Sequence, residues 1–455
     1  MVPIALPRLA TTARRRSLIA AAVLTSLALG VFLSDRASGS AVEWAQIGDD
    51  IVGDEAGYTG WAVALAADGN RVAVGTPWTR SGPTIGFTSV YDWGGANWAQ
   101  AGTDIDGEQV DDRSGWSVAL SADGDRIAIG AERGALSVFG WNATGWTPVG
   151  DSFHGSTNSV AISADGNRVA AGSPSDGSAG LVRVYDWNGA NWIQTGPDIV
   201  GEADFDDSGF SVALSADGNR VAIGAPYNDG TVSGGSGPDG SAVGHVRVYD
   251  WNSTNWVQVG ADIDGEQVDD RSGNSVALSA DGDRLTIGTP YGDGAAGRVR
   301  VYDWIDANWV QAGADIVGEA AGDLSGWSVA MSADGTRIAM VAPLNDATGH
   351  ARVYDWTGTT WVQVGADIDG EGGWSVALSG DGTRVAIGAP YVKRVRVYAA
   401  SSPTTTTSVA PTTTTSPADG AELPATGADS STALLAAAAV AGGLGLTALS
   451  RRKKA

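Results

Sequence analysis

A segment typified by residues 209–226, GFSVALSADGNRVAIGAP, recurs in near copies along most of the chain, and no other feature restricts the fold as much. The Asp of each copy's Asp-Gly pair marks seven of them: Asp68, Asp123, Asp165, Asp217, Asp281, Asp334 and Asp381. A repeat of about 52 residues is a supersecondary unit that cannot bury its apolar faces alone, so the copies must stack into one body. In the fourth copy Val212 and Leu214 alternate with Ser211, Ala213 and Ser215, which is the period of a strand. Asp217-Gly218 fits a hairpin turn, because both residues tolerate positive φ, and residues 221–225 form a second strand. Residues 245–251 and 255–260 predict a third and a fourth strand, the content of a propeller blade. Large Val, Leu and Ile on one face and Ala and Gly on the other predict blades stacked face to face.

The two ends of the repeat region fix the architecture. The seventh copy stops at Ala400 without a fourth strand, whereas residues 42–53, VEWAQIGDDIVG, supply a fourth strand without the three before it. Joined, they complete one blade and remove the exposed edges of an open stack. The expected fold is therefore all-β: a seven-bladed propeller of four-stranded antiparallel blades over residues 42–400. With Gly209-Phe210 and Gly224-Ala225-Pro226 as the namesake residues, the repeats resemble FG-GAP repeats, as in the propeller of integrin α subunits. WD repeats fit worse, because Tyr-Asp-Trp has the wrong order. The FG-GAP resemblance implies calcium loops between the first two strands. Here that loop has shrunk to Ser-Ala-Asp-Gly, and one Asp cannot supply the six to eight oxygens that Ca²⁺ takes.

Both termini carry addresses. Residues 1–41 place Arg14, Arg15 and Arg16 before an apolar run and small residues, the pattern of an export signal cleaved near Ala41. The arginines also resemble a twin-arginine pattern, so the export route stays open. At the other end stand Leu423, Pro424, Ala425, Thr426 and Gly427, then an apolar segment at 432–449, then four cations. This resembles the LPXTG sorting signal of Gram-positive surface proteins. The apolar tail would span about 27 Å as a helix, enough to hold the precursor transiently in the membrane while the cations stay inside. The resemblance implies that a sortase cleaves after Thr426 and joins it to peptidoglycan, leaving the protein covalently attached to the cell wall. Residues 401–422, rich in Ser, Thr and Pro, read as a wall-spanning linker ahead of the 423–455 sorting region.

Composition excludes several classes. There are no cysteines, so disulfides and thiolate chemistry are out. The formal net charge is −24, and the two processed ends hold more basic than acidic residues. A field this negative argues against nucleic acid as a partner. Only His154, His245 and His350 occur, the last two at equivalent strand starts, and no nucleophile, zinc-protease or phosphate-loop motif is present. No enzyme and no obligate cofactor is expected.

Residues that repeat in every blade read as scaffold. Arg follows each turn, at 71, 126, 168, 220, 284, 337 and 384, and is expected to pair with the Tyr-Asp-Trp carboxylates Asp92, Asp186, Asp250, Asp303 and Asp355. Six Trp pairs spaced by five residues, such as Trp251/Trp256, fit cross-strand contacts. Residues that vary are the candidates for function. Trp61, Trp116, Trp327 and Trp374 precede the first strand near the expected channel mouth, with Phe210 and Asn274 in their place elsewhere. The loop with Asp204, Asp206 and Asp207 resembles half an EF-hand that Asp229 could help complete, a possible Ca²⁺ site. Adhesion or binding of an unknown extracellular ligand is the expected role, with a structural coat or spacer and a surface hydrolase or lyase as alternatives.

Overall fold

The computed structural model describes residues 42–401, apart from 54–56, 79–84, 153–154, 229–241, 346–348 and 370–372. The chain divides into two units at residues 404 and 405, and all described residues belong to the first. The export signal, the sorting signal, the apolar tail, His154 and Asp229 lie outside them. No helix among the described residues is long and apolar enough to cross a membrane.

Seven antiparallel sheets follow one another along the chain, each with strands in sequential order. Blade 4 shows the pattern. Its inner strand, Ser211–Leu214, pairs with Arg220–Ala225, then His245–Trp251, then Trp256–Gln258. Ser211 faces Gly224, Arg220 faces Asp250 and Trp251 faces Trp256. Blade 7 is completed as its missing strand requires. Ser375–Leu378, Arg384–Ala389 and Arg394–Ser401 are followed in space by Glu43–Gln46, with Trp44 opposite Ala400. The last strand runs through Ser401, one residue into the segment read as linker.

One feature of six blades departs from the four-strand expectation. The outer strand of blade 4 ends at Gln258 rather than Gly260, and pairing with the third strand resumes at Ile263–Asp264. Six blades share this broken outer strand, and blade 2 shows four strands among the described residues. The break has a packing cause. Gly260 takes φ +77°, and a Cβ there would lie 2.8 Å from Trp309 of the next blade, so the backbone bulges where the neighbouring indole needs room.

The core lies between blades. Val221, Ile223 and Val212 of blade 4 pack against Ala170, Val182 and Val184 of blade 3, while Ala222 on the opposite face meets Leu285, Ile287 and Val276 of blade 5. Large side chains thus meet small ones at each interface, the arrangement that the two-faced strands predict.

Three further rings of hydrogen bonds tie each blade to the next. In the Ser-Ala-Asp-Gly turns the backbone N–H of Ala216 donates to Ala280 O, and so on around the circle until Gly380 donates to Ala67 O. The turn arginines form the predicted bidentate pairs with Asp92, Asp186, Asp250, Asp303 and Asp355. All seven also reach forward to a turn carbonyl of the next blade, from Arg71 to Gly124 through Arg384 to Gly69. Their guanidinium groups sit over indoles of that blade, as Arg220 does 5.1 Å from Trp304. The outer-strand indoles reach backward: Trp256 donates to Thr195 O, and Trp44 closes the circle on Val364 O.

Candidate functional site

Residues that only close the ring are occupied by that task. The six hairpin Trp pairs, with centroids 5.1 to 5.4 Å apart, are committed to the neighbouring blades through their N–H groups and the stacked arginines. On the turn face the alanine ring likewise ties the blades together, around a second, open cavity of about 270 Å³ lined by the ends of the inner strands. Variation between blades concentrates on the opposite face, where the inner strands begin.

There the candidate residues converge. Trp61, Trp116, Phe210, Asn274, Trp327 and Trp374 line one mouth of the central channel, together with Asn158 and the serines that open the inner strands, around a cavity of about 290 Å³. Four of the indoles belong to consecutive blades, in the order 6, 7, 1, 2, and form a continuous arc. Trp327 lies 4.5 Å from Trp374, Trp374 lies 5.3 Å from Trp61, and Trp61 lies 4.9 Å from Trp116. In blades 3 and 5 the arc is broken by asparagines, and Asn274 Nδ2 donates to the Trp327 carbonyl at 2.9 Å.

A second aromatic tier surrounds the arc and is absent from the expected site. Trp78 packs edge-on to Trp61 at 4.5 Å, and Tyr391 packs against Trp374 at 5.5 Å and Tyr58 at 5.9 Å. Tyr227 approaches Phe210 at 6.4 Å. The signal was in the sequence: Trp78, Tyr227, Tyr291, Leu344 and Tyr391 each follow the Pro that ends the repeat. That position leaves the second strand toward the mouth. Leu344 and Tyr391 remain largely exposed, at 57 % and 60 %.

Two cations flank the aromatics. Arg113 lies 5.3 Å from the Trp78 ring and pairs with Glu132. Arg271 is held between Tyr291 and Tyr227, at 4.3 and 4.9 Å from their centroids. Among the described residues Arg271 has no carboxylate within ion-pair distance.

The acidic loops on this face have an internal use. Asp206 is fully buried and accepts the backbone N–H groups of Glu202 and Ala203, and Asp112, Asp270 and Asp323 hold their own loops the same way. Asp204 accepts the Ser178 hydroxyl. Burial, with the Asp206 charge beside it, pushes the Asp207 carboxyl up. Asp204, Asp206 and Asp207 are not drawn into a shared cage among the described residues. His245 and His350 stand together with carboxylates instead. Burial, reinforced by the Arg247 guanidinium, pushes the His245 imidazole down to about 4.

The fold and site thus define a seven-bladed propeller whose one face repeats the same turns and whose other face carries an aromatic-lined mouth. Residues 416–455 match the LPXTG cell wall anchor motif, which makes the chain a cell-wall-anchored surface protein with a propeller body and implies sortase processing and attachment to peptidoglycan. A solved chain of Kuenenia stuttgartiensis hydrazine synthase is similar over 79 % of this chain and 98 % of its own, at a TM-score of 0.54 and 14 % identity, a likeness of fold alone. No curated protein sequence matches the chain.

Proposed function

We propose that the propeller is a non-enzymatic binding head displayed on the cell wall, and that its ligand is a saccharide chain end taken into the aromatic mouth. Within this reading the repeats are FG-GAP repeats serving adhesion. The observation that carries it is the arc of Trp327, Trp374, Trp61 and Trp116 around a cavity of about 290 Å³ on the one face where blades differ. That volume is at the low end of small-ligand pockets, about 300 Å³, which suits one or two sugar rings better than a polymer lying across the face. Indole faces stack on the apolar side of a sugar, serine and asparagine groups meet its hydroxyls, and Arg271 can pair with an acidic substituent.

Chain direction supports the same reading. The last described strand ends at Ser401 beside the Ser379–Gly382 turn of blade 7, where Ala400 N donates to Thr383 O. This end of the strand lies on the face opposite the mouth. A uniform spacer has no use for a mouth in which Asn158, Phe210 and Asn274 interrupt a repeated Trp.

The test is an array of neutral and acidic glycans probed with the full-length chain and with a W61A/W374A variant. Selective binding that falls at least tenfold in the variant, with its melting temperature close to that of the parent, is expected; this loss corresponds to roughly 1.4 kcal/mol or more. Binding that survives the double substitution, or an array that stays blank, would overturn the assignment.

A further inference from the structure

In blades 4 to 7 the first residue of the third strand faces the last residue of the second, and it alternates between His and Arg. It is His245 in blade 4, Arg298 in blade 5, His350 in blade 6 and Arg394 in blade 7. In blade 5 the guanidinium of Arg298, only 2 % exposed, lies in a cradle of carboxylates: Asp293 at 3.3 Å, Asp315 at 3.4 Å and Asp270 at 3.6 Å, with Glu266 closer still. In blade 7 Arg394 meets Asp50 at 3.4 Å.

Blades 4 and 6 keep the cradle but not its guanidinium. Glu202 and Asp262 surround His245, and Glu319 and Asp367 surround His350. In each trio the potential ligand atoms all lie within 4.8 Å of one another. Both imidazoles are buried; His350 faces Asp367 with its Nδ1, 4.0 Å away, and the Nε2 of each ring makes no hydrogen bond among the described residues. Both glutamates are about half exposed, so each cradle opens to solvent on one side. A buried ring nitrogen without a partner costs free energy that a bound cation would recover. The same chain shows that this position accepts positive charge.

We propose that blades 4 and 6 each bind one divalent cation of the zinc class, held by the His245 imidazole with Glu202 and Asp262, and by the His350 imidazole with Glu319 and Asp367. The donor set selects the metal: imidazole suits zinc and its neighbours, whereas Ca²⁺ and Mg²⁺ prefer oxygen alone. Tetrahedral donors around zinc stand roughly 3.4 Å apart, so the exposed glutamate swings inward and water fills the fourth position. Arg247 and Arg352, at 3.6 and 3.7 Å from one oxygen of each glutamate, leave the other oxygen for the ion. Glu202 and Glu319 come from the loops that enter their blades, so each ion clips a loop to the rim of its blade.

The experiment is calorimetric titration of Zn²⁺, and separately of Ca²⁺, into the full-length chain after chelator treatment. Two zinc equivalents bound at least tenfold more tightly than any remaining weak sites are expected, with no matching Ca²⁺ sites. H245R and H350R copy the residue that blade 5 carries, so each should fold and remove one equivalent, and the double variant should remove both. E202Q and E319Q should weaken the respective site at least tenfold. Two tight zinc equivalents persisting in the H245R/H350R variant, equal affinity for Ca²⁺, or no tight zinc binding to the parent would each refute the sites.

Discussion

Six turn aspartates, Asp123, Asp165, Asp217, Asp281, Asp334 and Asp381, each accept a hydroxyl from the serine two positions earlier, at 2.5 to 2.7 Å. Partial burial raises these carboxyls, but the serine hydroxyl and the backbone N–H two residues on outweigh it, and all six end below the usual aspartate value. A depressed carboxyl adds stability above its unfolded pKa, and that stability is lost as pH falls through the folded one. The melting temperature should therefore decline as the medium is acidified from about pH 5 through the range below 3.8. Asp217→Asn with Asp281→Asn removes two of the six turn contributions, so the slope of melting temperature against pH in that range should flatten. An unchanged slope would mean that the turns carry no such linkage. The strict Asp-Gly repeat thus has a structural cause: the Asp caps the turn, and Gly218, at φ +72°, also lets the Arg168 stem pass over it.

Single elements show what one repeat can reveal and what it cannot. Gly260 is held at φ +77° with the Trp309 ring against it, so Gly260→Ala should cost about 1–3 kcal/mol more than the same change at Gly358. Gly358 shares the backbone strain, at φ +93°, but has open space where a Cβ would stand. Denaturant unfolding of the two variants measures the difference, and equal losses would argue that the indole does not dictate the bulge. Hairpin position and the two-faced core were legible because each rests on residues a few positions apart. The break after Gln258 was not, because its cause is an indole from the next repeat, about fifty residues away. The forward reach of each arginine escaped for the same reason: Arg220 and Asp250 share a blade, but Gly282 and Trp304 do not. At the mouth, the inner Trp arc was legible from its variation, whereas Trp78 and Tyr391 stood in plain repeat positions after Pro and only their convergence shows their use. The histidines looked structural because two matching positions suggest scaffold; their acidic neighbours come from other strands and loops.

Across the whole molecule, stability is a property of the closed circle. Residues 43–52 contribute one strand, the indole of Trp44 on Val364, and Asp50 against Arg394 and Arg396. Removing them exposes the edge of Arg394–Ser401 and leaves Arg337 without the ring it covers. A chain beginning at residue 54 should lose its single cooperative melting transition and aggregate, and a synthetic peptide of residues 42–53 should restore solubility when added during refolding. A truncated chain that melts like the parent would show that closure is dispensable. The position of that closure also decides how the protein bears force. A pull from the wall enters at Ser401, at the end of a strand bonded on one side to Arg384–Ala389 and on the other to Glu43–Gln46. Tension along that strand loads two ladders in shear at once, so their bonds resist together instead of opening one by one. Residues 43–52 are therefore half of a mechanical clamp, and the load that the anchored propeller can bear is set at the seam where its first and last strands meet.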